Sequence, residues 1–242
     1  MKLCAYVGYG VLSMRKFIPV YIVVVLCFGV VVALLNCTAT VFNESLPIKH
    51  ATSIIIDAGH GGEDGGATSC TGVLESKTNL EIALKLEDLM HLLGMQTKMI
   101  RKTDCSVATS GNTISSRKIS DLKERIRIIN ETNNALLISI HQNTYPESVC
   151  HGAQVFYNKN EESKLLASKL QTAFVSTVNI GSNRKSKQAV GIYLMDHIDC
   201  TSVLIECGFI SNPEETTLLN SEAYQKKLCI IIAASISDFL NP

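Results

Sequence analysis

Apolar and polar residues alternate in blocks along most of the chain, and the blocks change period. "SIIID" (Ser53–Asp57), "MQTKMIR", "ALLISIHQN" and Ala153–Tyr157 are short apolar runs rich in β-branched residues, which predicts buried strands. Between them lie stretches whose apolar residues recur every three or four positions. Lys77–Leu93 carries Leu80, Ile82, Ala83, Leu86 and Leu89 and stops at Gly94. Ile119–Asn130 places Leu122, Ile126 and Ile129 on one face, and Glu161–Val178 and Glu222–Leu240 repeat the pattern. Ile192–Met195 and Ser202–Glu206 read as two further strands, and Pro213 suits the first turn of a helix. Strands alternating with helices predict an α/β fold: one domain with a mostly parallel central sheet flanked by helices.

The N-terminal pattern is different. Residues 17–37 form an almost unbroken apolar run without charge, Arg15 and Lys16 precede it, and Glu44 follows. About 20 apolar residues cross a bilayer as a helix, and the flanking basic residues orient residues 1–16 to the cytoplasm. A transmembrane helix is therefore expected at 17–37, with a cleaved signal segment as the rival. Cys37 follows Asn36, a poor residue before a lipid-modified cysteine. Residues 38–52 read as a linker and 53–242 as the exported domain.

Charge narrows the function classes. Lys and Arg number 22, Asp and Glu also 22, and no basic patch stands out, so nucleic acid is not expected as a partner. Nine cysteines occur without a C-x-x-C pair; an exported domain admits either disulfides or free thiols.

Candidate chemistry collects at strand ends. "SIIIDAGHGGEDGGA" runs from a buried strand into a histidine among glycines. A phosphate loop would need Gly-Lys-Ser/Thr, where the chain has Gly65-Gly66-Ala67, and a dinucleotide fingerprint begun at Gly59 would need glycine where Asp64 stands. In parallel sheets, sites lie beyond the carboxyl ends of strands. His60, His141 and Glu206 each fall at or just past such an end. Two imidazoles and a carboxylate are a zinc ligand set with room for a fourth group. Two acids can complete it: Glu63, three residues after His60, and Glu75, fifteen after, at the end of a long loop. Alternation along a strand puts Cys207 on the face opposite Glu206. His50, His91, His151 and His197 stand in no motif, Ser139 reads as core, and Asn143 as a turn residue.

Four ordered blocks, "IIIDAGHGGEDGGA", "VLESKTNLEIALKL", "LLISIHQN" and "VLIECGFISNPEE", resemble the zinc-dependent N-acetylmuramoyl-L-alanine amidases of bacterial cell walls. Weaker agreement lies in "MIRKTD" and "LKERIRIIN", and Ala58 stands where that family usually has proline. The resemblance implies that His60, Glu75 and His141 hold one zinc ion, that Glu206 is the catalytic carboxylate, and that Glu63 is a loop residue. It also implies peptidoglycan as substrate, hydrolysed at the amide between N-acetylmuramic acid and L-alanine. The short form, with an apolar N-terminus and no wall-binding repeats, looks most like the germination-specific members from spore formers. The alternatives are a carboxypeptidase-like zinc peptidase using His60, Glu63 and His141, and a wall-binding protein whose catalysis has decayed. No motif speaks for or against an accessory protein.

Overall fold

A computed structural model describes residues 52–241, together with Val25, Leu26 and Val30. The expected transmembrane segment therefore lies almost wholly outside the described residues; Val25, Leu26 and Val30 are helical and exposed. Among the described residues no helix is long and apolar enough to cross a membrane.

The described residues of the unit from 48 to 242 form a sheet of six strands. They are β1 (Ser53–Ala58), β2 (Thr97–Met99), β3 (Ala135–Asn143), β4 (Gln154–Tyr157), β5 (Lys187–Gln188) and β6 (Thr201–Phe209). Their spatial order is β2-β1-β3-β6-β4-β5, and every pairing is parallel except β4 with β6. The helices are α1 (Glu75–Leu92), α2 (Ile114–Asn130), α3 (Glu161–Thr177), α4 (Tyr193–Asp196), α5 (Pro213–Leu219) and α6 (Glu222–Leu240).

Both sheet faces are covered, which is why the central strands read as continuous apolar runs rather than alternating ones. Ile54, Ile56, Leu136, Ile138, Val203 and Ile205 point to the face packed by α1, α3 and α6. Ile55, Leu137 and Leu204 point the other way and pack with Ile129 of α2 and Leu194 and Met195 of α4. Capping residues set several helix starts. Thr113 and Ser116 form a reciprocal capping box on α2, Asn160 caps α3, Asn212 caps α5 with Pro213 in its first turn, and Ser221 caps α6.

The expected mostly parallel α/β domain is observed, with particular corrections. Ile192–Met195, expected as a strand, contains the start of the short helix α4. Its Leu194 and Met195 are adjacent and both buried. A run of four apolar residues carries no period long enough to tell strand from helical turn. Helix α2 begins five residues before the predicted Ile119, because its capping box is formed by polar residues that carry no apolar stripe. Helix α1 begins at Glu75, two residues early, and the two-residue edge strand β5 carries no apolar signal.

Candidate metal centre

Three strands bring the site together by register. Asp57 of β1 lies beside Ser139 of β3, and Ser139 beside Leu204 of β6. Two residues further on, Gly59 follows β1, His141 stands on β3, and Glu206 is His141's partner on β6. A period of two keeps both rows on one face, the face of α2. His141 and Glu206 are thus neighbours because the ladder makes them so, while Cys207 turns to the opposite side and is fully buried in the apolar core, as alternation predicts.

The first acid arrives from across the loop. Glu75 opens α1, and the loop 65–67 folds back over the helix start. The Glu75 amide donates to the Ala67 carbonyl (2.9 Å) and the Ser76 amide to the Gly65 carbonyl (3.0 Å). These contacts satisfy helix-start amides that the uncapped Leu74 leaves open. The Glu75 carboxylate is buried and fully engaged. Its Oε2 accepts from the Ala67 amide (2.9 Å), and its Oε1 accepts from the Gln142 amide (3.1 Å) and from Asn79 Nδ2 (3.3 Å). The same oxygens face both imidazoles, with Nδ1 of His141 at 3.0 Å from Oε1 and Nε2 of His60 at 3.3 Å from Oε2. Burial alone would raise the Glu75 carboxyl, but hydrogen bonds and charge from His141 and His60 hold it far below the carboxylate range.

Among the described residues, His60, Glu75 and His141 form a cluster whose potential ligand atoms all lie within 4.8 Å of one another. The ring centroids of His60 and His141 are 5.0 Å apart and nearly perpendicular. Ligands of a tetrahedral zinc sit about 2.0–2.2 Å from the ion, hence roughly 3.3–3.6 Å from each other. The 3.0 and 3.3 Å contacts run to the two different oxygens of Glu75, and it is the chemistry of the donor set, two imidazole nitrogens and one carboxylate gathered within 4.8 Å, that fits such an ion. Glycine is required where the backbone crowds this cluster. A Cβ at Gly59 would come within 2.2 Å of the His141 ring, and one at Gly66, whose φ is +67°, within 2.5 Å of Glu75 Oε2.

Glu206 stands beside the cluster. It is half-buried, and its Oε2 is shielded from solvent and has no hydrogen-bond partner among the described residues. Burial pushes its carboxyl up to about 7; Glu75 adds to the rise, and the nearby histidines oppose it. The cluster opens into a cleft of about 170 Å³ whose walls include His60, His141, Lys118, Leu122, Tyr193 and Leu194.

Glu63 goes elsewhere. Its exposed carboxylate pairs with Arg117 of α2, so the structure does not bring it to the two imidazoles. His91 pairs with Thr97, and His151 and His197 bond to backbone carbonyls. His50 lies outside the described residues. Ser139 is core, as expected, and its hydroxyl donates to Asp57 (2.7 Å). The Asn143 carbonyl accepts from the Ile210 amide (2.8 Å) where the β3–β6 register shifts. The six cysteines of the domain are free thiols.

Sequence reasoning missed the groups that brace the turn. Arg101 donates to the carbonyls of Ala58 (2.8 Å), Gly59 (3.0 Å) and Ser76 (2.8 Å). Arg125 donates to those of Ala58 (3.0 Å) and His60 (2.7 Å) while paired with Asp57 and Asp121. Burial would raise the Asp57 carboxyl, but the Arg125 charge and the Arg125 and Ser139 hydrogen bonds outweigh it and hold it below its ordinary range. The sequence signals were the weaker family agreement of "MIRKTD" and "LKERIRIIN" and the charge that both arginines place in otherwise apolar or helical stretches.

Known proteins are similar to this chain over most of the α/β unit. The family model Amidase_3, described as N-acetylmuramoyl-L-alanine amidase, matches residues 54–238. The germination-specific N-acetylmuramoyl-L-alanine amidase of Bacillus subtilis is 38% identical over 194 residues, covering 79% of this chain and 81% of that protein. Among solved structures, the CwlD amidase of Clostridioides difficile, in complex with the GerS lipoprotein, is 38% identical with a TM-score of 0.75. That match covers 78% of this chain and 98% of that one. An N-acetylmuramoyl-L-alanine amidase of Clostridium difficile 630 is 28% identical with a TM-score of 0.69, covering 79% and 97%. With the match running through nearly all of the α/β unit, the chain belongs to the Amidase_3 family and is an N-acetylmuramoyl-L-alanine amidase.

Proposed function

We propose that the protein hydrolyses the amide between N-acetylmuramic acid and L-alanine in peptidoglycan with one zinc ion held by His60, Glu75 and His141. In this reading Glu206 moves the proton. The observation that carries it is the convergence of two imidazole nitrogens on one buried carboxylate, beside a second carboxylate with an unpartnered oxygen. When bound, zinc polarises a carbonyl and makes water more acidic. Glu75 and the imidazoles supply a ligand set carrying one negative charge, fixed by the Ala67 and Gln142 amides before any ligand arrives. Glu206 takes a proton from the attacking water, whose oxygen bonds to the lactyl carbonyl carbon. It then returns that proton to the L-alanine nitrogen as the carbon–nitrogen bond breaks. A carboxyl held near neutrality can both accept and donate, which this two-way transfer needs.

General acid–base catalysis contributes about 10²–10⁴-fold. Glu206→Gln should therefore lower kcat by at least about 10²-fold with zinc content unchanged, and Glu75→Ala should lose zinc. Glu63→Ala should retain both metal and activity. Metal analysis beside release of L-alanine N-termini from sacculi reads all three; zinc loss in Glu63→Ala but not in Glu75→Ala would support the peptidase alternative.

The germination-specific amidase at 38% identity supports a role in germination, and spore cortex is the substrate proposed with that role. The apolar run 17–37 supports membrane anchoring with the catalytic unit outside the cytoplasm. Digesting purified cortex and vegetative wall side by side tests the first, and preference for vegetative wall would contradict it. Alkaline extraction of cell membranes tests the second, since a protein washed free by carbonate is not anchored.

A further inference from the structure

The turn that carries His60 closes on itself. The Gly61 amide donates to the Asp64 carbonyl (2.8 Å) and the Asp64 amide to the Gly61 carbonyl (3.3 Å). This short loop returns the Asp64 side chain to the His60 ring, where Oδ2 lies 2.9 Å from Nδ1. Lys118 of α2 holds the same carboxylate from the other side, with Nζ 3.1 Å from Oδ2 and 3.3 Å from Oδ1, and the Gly66 amide approaches Oδ1 at 3.4 Å. His60 itself sits at a φ of +62°, a strained conformation for an L-residue that persists only where the surroundings impose it.

A neutral imidazole carries one N–H, and a metal can bond only the nitrogen without it. Two carboxylates compete for that hydrogen here. Asp64 faces Nδ1 at 2.9 Å, and Glu75 faces Nε2 at 3.3 Å. If the hydrogen went to Nε2, His60 would donate to Glu75 and its ligand position would be closed. If it stays on Nδ1, the Nε2 lone pair faces the cluster.

We propose that Asp64 is a positioning residue that keeps His60 in the Nδ1–H tautomer and so sets the metal affinity of the site, with Lys118 holding Asp64 in place. The inference rests on the ligand set proposed above. Carboxylates or carbonyls behind a ligating histidine are worth about 10–100-fold in metal affinity.

The test compares the full-length chain with Asp64→Ala and Asp64→Asn. Zinc affinity is read by competition with a chelator, and the His60 tautomer by imidazole ¹⁵N NMR of the metal-free protein at alkaline pH. Asp64→Ala should weaken zinc binding about 10–100-fold and shift His60 toward Nε2–H. Asp64→Asn should recover most of both, because its amide oxygen still accepts from Nδ1–H. The thermal midpoint of each metal-free variant reports folding separately. Unchanged affinity in Asp64→Ala, or equal losses in the alanine and asparagine variants, would overturn the positioning role. A wild-type chain that took up no zinc while His60 remained Nδ1–H would instead overturn the ligand set.

Discussion

Glu206 shows how one residue's environment separates function from stability. Its carboxyl titrates near 7 in the folded chain against 4.5 ordinarily, so folding favours its neutral form. The sign follows from linkage. Stability is undiminished below pH 4.5, falls as pH rises toward 7, and stays reduced above it. Raising a carboxyl's titration midpoint by one pH unit corresponds to about 1.4 kcal/mol, before solvent screening of this half-buried group reduces it. Metal-free Glu206→Gln should therefore be more stable than the metal-free wild type at pH 8 by about 1–3 kcal/mol, and indistinguishable from it at pH 4. Denaturant unfolding at the two pH values measures the difference. Equal stability at pH 8 would mean that Glu206 carries no burial penalty. The roles of His60 and His141 were suggested by their places after apolar runs, and Glu206 by the same logic. Asp64, Asn79, Arg101 and Arg125 were not legible, because each acts through a backbone or side-chain atom that only the folded chain brings near.

At the scale of elements, the site depends on where strands stop and helices start. The apolar runs of β1, β3 and β6 were visible because both sheet faces are buried, and their ends fixed three of the four central residues. The start of α1 was set two residues late. Glu75 belongs to the helix through bonds to the loop 65–67, not through the apolar periodicity of Leu80 to Leu89. For that reason sequence spacing alone left Glu63 and Glu75 as equal candidates. The turn after β1 supplies an element-level prediction. Gly59→Ala would drive a Cβ into the His141 ring, whereas Gly94, at φ +76°, has no neighbour among the described residues within 4 Å of an added Cβ. Gly94→Ala should cost about 1 kcal/mol of stability through backbone strain and leave zinc affinity unchanged. Gly59→Ala should weaken zinc binding by at least about 10-fold, the scale lost when a ligating histidine is no longer held in its orientation. Titration with zinc under chelator competition distinguishes them, and equal affinity of the Gly59 variant and wild type would show that His141 does not need this space.

For the molecule as a whole, topology does the assembling. The order β2-β1-β3-β6-β4-β5 makes β1, β3 and β6 the consecutive central strands, so their carboxyl ends meet at one edge. Helix α1 then delivers Glu75 to that edge from one side, and α2 delivers Arg125 and Lys118 from the other. Fold class was readable from alternating periods, and β4 was legible as the run Ala153–Tyr157, but its antiparallel direction leaves no mark in so few residues and the two-residue β5 carries no apolar signal. The central claim concerns one point in space and can be met by one measurement. Crystals of the zinc-loaded protein, with diffraction collected on both sides of the zinc absorption edge, should show a single strong anomalous peak about 2.0–2.2 Å from His60 Nε2, His141 Nδ1 and a Glu75 oxygen. A peak placed on other side chains, or ligation by Glu63 in place of Glu75, would contradict the account.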